Sequence, residues 1–162
     1  MIATYGHGTE NDFVLLFDPE NKLELSSEQV ARICKSARAD GSDGFIRIGK
    51  LNGKWFMDYR NRDGSLAEMC GNGIRVMAKY LVDRGHQNEG IFAIETRAGT
   101  KYLSAPKDGD ISVNMGQVTE ISNHVSVKAN SNTWQNGFNI DVGNPHAVVF
   151  VSDVLDAGDL KQ

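Results

Sequence analysis

The stretch Glu68-Met-Cys-Gly-Asn-Gly-Ile-Arg-Val-Met-Ala-Lys-Tyr-Leu-Val82 decides how the chain folds. Ile74, Val76, Met77, Ala78, Tyr80, Leu81 and Val82 cover most of a helical circumference and leave Arg75 and Lys79 as a narrow polar strip. A helix apolar nearly all round is a buried one. Its first turn nevertheless carries Gly71 and Gly73, and a glycine inside a helix costs roughly 1 kcal/mol against alanine. Helix stability gives no reason to set two glycines beside Cys70. The pattern predicts a helix that enters at Cys70 and ends at Gly85, after Asp83 and Arg84.

Around this helix the sequence is rich in strand signals. Asp12-Phe-Val-Leu-Leu-Phe17 is a short apolar run that ends at Asp18-Pro19, as a buried strand ends at a turn. Ser26-Ser-Glu-Gln29 has the form of a capping box, with Leu25 and Val30 placed as a hydrophobic staple. Val30, Ile33, Cys34 and Ala37 follow at helical spacing, so Cys34 reads as a packed core thiol. Ala39–Gly44 is a glycine-punctuated loop feeding a strand over Phe45–Ile48. Trp55, Met57 and Tyr59 alternate as in another strand, which Asn61-Arg-Asp-Gly-Ser65 closes with a turn. Beyond the helix the pattern predicts strands over 91–96, 101–103, 111–115, 138–142 and 147–151, with the polar segment Ser122–Asn136 as a loop. About seven strands and one buried helix predict an α/β chain of the α+β type. Its sheet is mixed, mostly antiparallel and curved, and wraps a central buried helix.

The bulk composition narrows the function classes. The 162 residues, 40% apolar and 23% charged, are those of a soluble globular protein with one domain or slightly more. A net charge of −4 provides no basic field for nucleic acid or anionic lipid. No apolar run approaches the roughly 20 residues that a membrane helix needs. Met1–Gly8 lacks the basic and apolar regions of a signal peptide, and two cysteines make no disulfide framework. These features predict a cytoplasmic protein without nucleic-acid or membrane partners.

The chemistry gathers at Met69-Cys-Gly-Asn-Gly73. A helix entrance leaves backbone N–H groups unpaired and carries partial positive charge, which makes it a cradle for a carboxylate. Glycines there remove β-carbons, so a ligand can approach the backbone. The same field favours a thiolate. A thiolate beside a carboxylate cradle suits removal of a proton from the carbon next to that carboxylate. A buried cysteine at a tight helix start accounts for the motif alone equally well. Gly8-Thr-Glu-Asn-Asp-Phe13, Asn61-Arg-Asp-Gly-Ser65 and Gly143-Asn-Pro-His146 each set an asparagine in a loop bordering a strand. Asparagine offers a donor and an acceptor, suited to the ammonium and carboxylate of an amino acid. Pro145 holds Asn144 extended.

In this order the four motifs resemble the N-terminal half of diaminopimelate epimerase, over nearly the whole chain from Gly6 to about Val154. Asn72 in Cys-Gly-Asn-Gly separates the resemblance from the related proline racemases, which typically carry histidine there. In Ala39–Gly44, Gly41, Asp43 and Gly44 match the family's Gly-x-Gly-Ala-Asp-Gly loop, while Asp40 and Ser42 do not.

The resemblance implies an amino-acid substrate and a two-base isomerisation of LL-2,6-diaminopimelate to the meso form, serving lysine and cell-wall synthesis, with no cofactor and no metal. It makes Cys70 one acid/base and gives the carboxylate to the amides of Gly71 and Asn72, with or without that of Gly73. Asn11, Asn61 and Asn144 orient the substrate. His146 either polarises or exchanges protons with the thiol, or is a plain turn histidine. The family's second cysteine lies in a C-terminal half missing here, and Cys34 has no glycine-rich helix entrance beside it. The chain thus reads as an N-terminal epimerase domain over 1–154, with 155–162 beginning a crossover to an absent C-terminal domain, and little or no activity alone. Homodimerisation is an expectation of the resemblance alone. A proline-type racemase, a phenazine-biosynthesis-like isomerase and a non-catalytic carboxylate-binding module are the competing readings.

Overall fold

The computed structural model describes residues 3–37, 39–129, 132–142 and 145–157. They divide into two compact units, Met1–Met115 and Gly116–Gln162.

The first unit is a seven-stranded sheet whose strands stand in chain order. They are β1 (Ala3–Gly8), β2 (Asn11–Phe17), β3 (Gly44–Leu51), β4 (Lys54–Asn61), β5 (Gly90–Thr96), β6 (Gly99–Ala105) and β7 (Ser112–Asn114). Four neighbouring pairs are antiparallel; β2 with β3 and β4 with β5 are parallel. A parallel pair needs a crossover, and here each crossover contains a helix. Helix α1 (Ser27–Ser36) links β2 to β3, and α2 (Gly71–Asp83) links β4 to β5. The mixed, mostly antiparallel sheet of the sequence reading is what forms.

The unbroken apolar run in β2 has a direct cause. Successive side chains of a strand point to opposite faces. Phe13 and Leu15 join Ile46, Ile48, Met57, Ile74, Met77 and Leu81 in one core, whereas Val14 and Leu16 join Val30, Cys34 and Phe45 in another. The two helices thus cover opposite faces of the sheet, and Phe13 to Leu16 are buried on both sides. Helix α2 touches β1, β2, β3, β4, β6 and β7, from one edge of the sheet to the other, so the sheet curls around it. Its burial is complete only along Gly73, Ile74, Met77, Ala78 and Leu81; Val76, Tyr80 and Val82 are half-buried shoulders.

Both helix ends follow local rules. At α1 the Ser26 hydroxyl accepts from Gln29 N at 3.3 Å, while Ser26 N donates to Gln29 Oε1 at 2.8 Å. At the end of α2, Gly85 takes a left-handed φ of 69° and the amides of His86 and Gln87 return to Leu81 O.

The second unit is a three-stranded antiparallel sheet in the order β10 (Pro145–Val148), β9 (Asn132–Asp141), β8 (Thr119–Ala129), followed by a 3-10 turn over Val154–Ala157. This corrects the loop expected over Ser122–Asn136, most of which is strand. Register shifts between Glu120 and Val127, with His124 at a φ of 62°, break the two-residue alternation by which a strand is recognised. The ladder there pairs Val125 with Gly137 and Val127 with Trp134 among polar neighbours, so no regular alternation survives. Strand β1, likewise unforeseen, is a glycine-bearing edge. Among the described residues no helix is long and apolar enough to cross a membrane.

Candidate active site at the entrance of α2

Cys70 is the N-cap of α2, with an extended backbone (φ −134°, ψ 118°). Its carbonyl takes the first helical hydrogen bond, from Ile74 N at 2.9 Å. Its sulfur accepts from Gly73 N at 3.5 Å, so the thiol stands where a serine or aspartate would normally cap. Gly73 therefore gives its amide to the sulfur and not to a cradle. Among the described residues the N–H groups of Gly71 and Asn72 meet no acceptor. Cys70 as a residue is half-buried. The entrance thus offers two open amides beside a partly accessible thiol.

The two glycines do different things. A β-carbon on Gly73 would come 3.0 Å from Ile46 Cδ1 and 3.0 Å from Met57 Cε, so this residue lets the helix start lie on the sheet. A β-carbon on Gly71 would make only ordinary contact, 3.5 Å from the Met115 side chain. Gly71 has room for a β-carbon, so packing alone does not require a glycine there.

Asn11, at the start of β2, is brought to this entrance from 61 residues away, where its Oδ1 accepts from Asn72 Nδ2 at 2.7 Å. Asn11 Nδ2 reaches Asp43 Oδ2 at 3.4 Å, and the same oxygen accepts from Asp12 N at 2.8 Å. Arg75 donates to Asn72 Oδ1, to Gly71 O at 3.0 Å and to Thr9 Oγ1 at 3.0 Å. Asn61 ends β4 at the same end of the sheet, since Phe13 pairs with Gly44 and Gly44 with Asn61. Its side chain donates to Ser65 Oγ at 3.0 Å. His146 lies on β10 in the second unit, opposite Ile140, and Asn144 falls outside the described residues.

Sequence reasoning missed Tyr59. Its ring fills the space beside Gly44, where a β-carbon would stand 2.7 Å from the ring and 3.1 Å from the hydroxyl. Phe13 meets the ring edge-on at 6.3 Å between centroids. Burial first, then the charge and hydrogen bond of the neighbouring Cys70 sulfur, with smaller contributions from Asp43 and Cys34, push the phenol well above its ordinary value. A neutral phenol against the sulfur is a donor to a thiolate. In the sequence Tyr59 is marked only as one inward position of an alternating strand.

Cys34 is sealed in the core on the α1 face. Burial pushes its thiol up, against the opposing effects of a Ser42 hydrogen bond and the Arg62 charge. Support for the entrance comes from a buried ion cluster. Asp58, 2% exposed, pairs with Arg47, Arg60 and Arg97, and Arg97 also donates to Tyr59 O at 2.8 Å and Ala67 O at 3.1 Å. Arg97 thereby ties the end of β4 to the segment leading into Cys70.

Comparison with known proteins adds to this geometry. A family model described as diaminopimelate epimerase matches residues 3–121. The chain is 45% identical to a diaminopimelate epimerase of Streptomyces coelicolor, a match covering 96% of this chain and 57% of that relative. It is 41% identical to one of Thermobifida fusca, covering 96% of this chain and 62% of the relative. The chain therefore spans about three fifths of the length of these curated relatives. Among solved structures, a hydroxyproline epimerase from Agrobacterium vitis superposes with a TM-score of 0.65 at 14% identity, covering 96% of this chain and 52% of that one. A probable proline racemase from Agrobacterium radiobacter does so with a TM-score of 0.66 at 13% identity, with the same coverage. At such identities the likeness speaks for the fold alone.

Proposed function

The chain belongs to the diaminopimelate epimerase family, and from that premise we propose that it carries one half of a two-base site that interconverts LL- and meso-2,6-diaminopimelate. The observation that carries this reading is the half-buried Cys70 standing beside two amides that meet no acceptor among the described residues at the mouth of α2.

In this reading the Cys70 thiolate removes the α-hydrogen as a proton. The C–H electron pair passes into the α-carboxylate, whose added negative charge is met by the N–H groups of Gly71 and Asn72. The site needs neither cofactor nor metal, because the charge is held by amides already fixed by the helix. Asn11, Asn61 and Asn144 orient the amino acid, and His146 polarises or exchanges protons with the thiol. A second acid on the opposite face of the carbon returns a proton. Cys34 is unsuited to that task, being sealed on the other face of the sheet. We assign the second acid to the part of the relatives' length that this chain does not span. The chain is then an N-terminal domain over 1–154, with 155–162 leading into a crossover, and has little activity alone. Homodimerisation and a place in cytoplasmic lysine synthesis belong to the same reading.

The test is exchange of the substrate α-hydrogen in deuterium oxide. This chain alone is expected to exchange at background rate, and a full-length version at enzymatic rate. Cys70→Ala in the full-length protein is expected to lose about a hundredfold or more. Normal exchange in that variant would remove the thiol from the chemistry. The proline-type fold neighbours motivate a second reading, a racemase of cyclic amino acids. Asn72, standing where those racemases typically carry histidine, speaks against it, and turnover of proline but not diaminopimelate would establish it.

A further inference from the structure

Four side chains beside the helix entrance form one line of hydrogen bonds whose ends differ in kind. Arg75 Nη2 donates to Asn72 Oδ1, Asn72 Nδ2 donates to Asn11 Oδ1 at 2.7 Å, and Asn11 Nδ2 donates to Asp43 Oδ2 at 3.4 Å. A guanidinium has only donors and a carboxylate only acceptors, whereas a side-chain amide has both and can turn over. Beginning from Arg75, Asn72 must turn its oxygen to the guanidinium and its NH2 to Asn11. Asn11 must then answer with its oxygen and turn its own NH2 to Asp43. Beginning from Asp43 gives the same two orientations. Either end alone sets both amides.

Both ends are themselves held. Arg75 is fixed by Gly71 O and Thr9 Oγ1, each at 3.0 Å. Thr9 and Glu10 form the two-residue turn between β1 and β2 with left-handed φ values of 52° and 62°. A β-branched residue rarely adopts that conformation, which persists where surrounding contacts enforce it. Asp43 is fixed by a reciprocal pair with the Asp12 backbone, Asp12 N donating to the Asp43 side-chain Oδ2 and Asp43 N to Asp12 O, both at 2.8 Å.

We infer that Arg75 and Asp43 are positioning residues that set which way the Asn11 and Asn72 amides face at Cys70, and hence which donor and acceptor a bound amino acid meets. The inference rests on the substrate site proposed above, but the relay can be measured without substrate. The whole chain is isotope-labelled for amide NMR, and the side-chain signals of Asn11 and Asn72 are assigned with Asn11→Ser and Asn72→Ser. One orientation gives one pair of proton signals for each amide. Asp43→Asn and Arg75→Gln each replace a one-way end by a group that accepts either orientation. Each single variant keeps one anchor and a single pair of signals, yet shifts the amide it does not touch: Asn72 for Asp43→Asn, Asn11 for Arg75→Gln. The double variant loses both anchors, and its amide signals double or broaden. Sharp single pairs at the parent positions in the double variant overturn the inference. Should the double variant lose its folded backbone spectrum, unmoved distant amides in the two single variants overturn it equally.

Titration with LL-2,6-diaminopimelate then separates relay from site. Each single variant is expected to lose about threefold in affinity and the double variant about thirtyfold, more than independent residues would give. Losses in the double variant that merely multiply count against the relay. A parent chain that binds nothing, with amide signals behaving as described, counts against the substrate site and leaves the relay standing.

Discussion

Gly73 lies so close to Ile46 that a β-carbon on the glycine would come 3.0 Å from the isoleucine Cδ1, with Met57 Cε at the same distance. Gly71, two residues earlier, has nothing nearer than the Met115 side chain at 3.5 Å and Arg75 Nη1 at 3.9 Å, both ordinary contacts. Gly73→Ala is therefore expected to overpack the core and lower stability by about 1–2 kcal/mol, even after its gain in helix propensity. Gly71→Ala is expected to match the parent or exceed it by up to about 1 kcal/mol. Its β-carbon would instead crowd a carboxylate approaching the open amides. Urea denaturation of the two variants checks the order, and equal stabilities would contradict the division of labour.

Gly64 makes a harsher prediction. Its φ is 83°, and a β-carbon there would stand 2.0 Å from the backbone carbonyl of Ser27, at the start of α1. No rotamer change relieves a clash with backbone. Gly64→Ala combines left-handed strain with displacement of the turn after β4, and a loss of about 3 kcal/mol or more is expected. A urea midpoint near that of the parent would show that the turn and α1 do not meet as described.

Asp58 ties stability to acid. Burial alone would raise its carboxyl, but hydrogen bonds and charges from Arg97 and Arg60 prevail and hold it below the usual carboxylate range. A depressed folded value gives stability that is present above the unfolded value of about 4 and is lost as pH falls through the folded one. Asp58→Asn leaves three arginines without their common counter-charge and turns an NH2 donor toward them, and is expected to cost about 3 kcal/mol at neutral pH. The variant should also show a flatter decline of stability between neutrality and acid. A parent-like acid limb would assign the pH dependence to other carboxylates.

The two thiols should part company under alkylation. Cys34 is fully buried and its ionisation is suppressed by burial, whereas Cys70 is half-open at the helix mouth. Since the thiolate is the reactive form, iodoacetamide at neutral pH is expected to label Cys70 and spare Cys34 until the chain unfolds. Peptide mapping by mass spectrometry reads this directly. Native-state labelling at Cys34 would mean that the α1 core opens far more readily than its packing implies.

Much of the frame was legible because its causes are local. The capping box at Ser26, the apolar stripe of α1, the stop at Gly85 and the two-sided burial of Phe13 to Leu16 all follow from spacing and backbone sterics within a few residues. Strands β8 and β9 were not legible. Their bulges break the alternation, and their apolar residues, Val125, Val127, Trp134 and Phe138 among them, are unevenly spaced among polar ones along both strands. The location of the candidate site was legible in Cys70-Gly-Asn-Gly73, since an N-cap and its open amides belong to one turn of chain. The partnership of Tyr59 with Cys70 was not, because nothing in β4 announces which inward residue meets a helix entrance.

The sequence by itself determined that a buried helix would begin at Cys70 with bare amides beside a sulfur, because caps, glycines and apolar periodicity act over a single turn. Only the tertiary structure decided that Gly73 is packed too tightly for a β-carbon while Gly71 has room for one, and that Asn11 and Asn72 are turned one way between Arg75 and Asp43. The reason is physical. A glycine is silent about what fills the space it leaves, and an amide is ambidextrous until a one-way partner, here brought from a distant part of the chain, fixes its orientation.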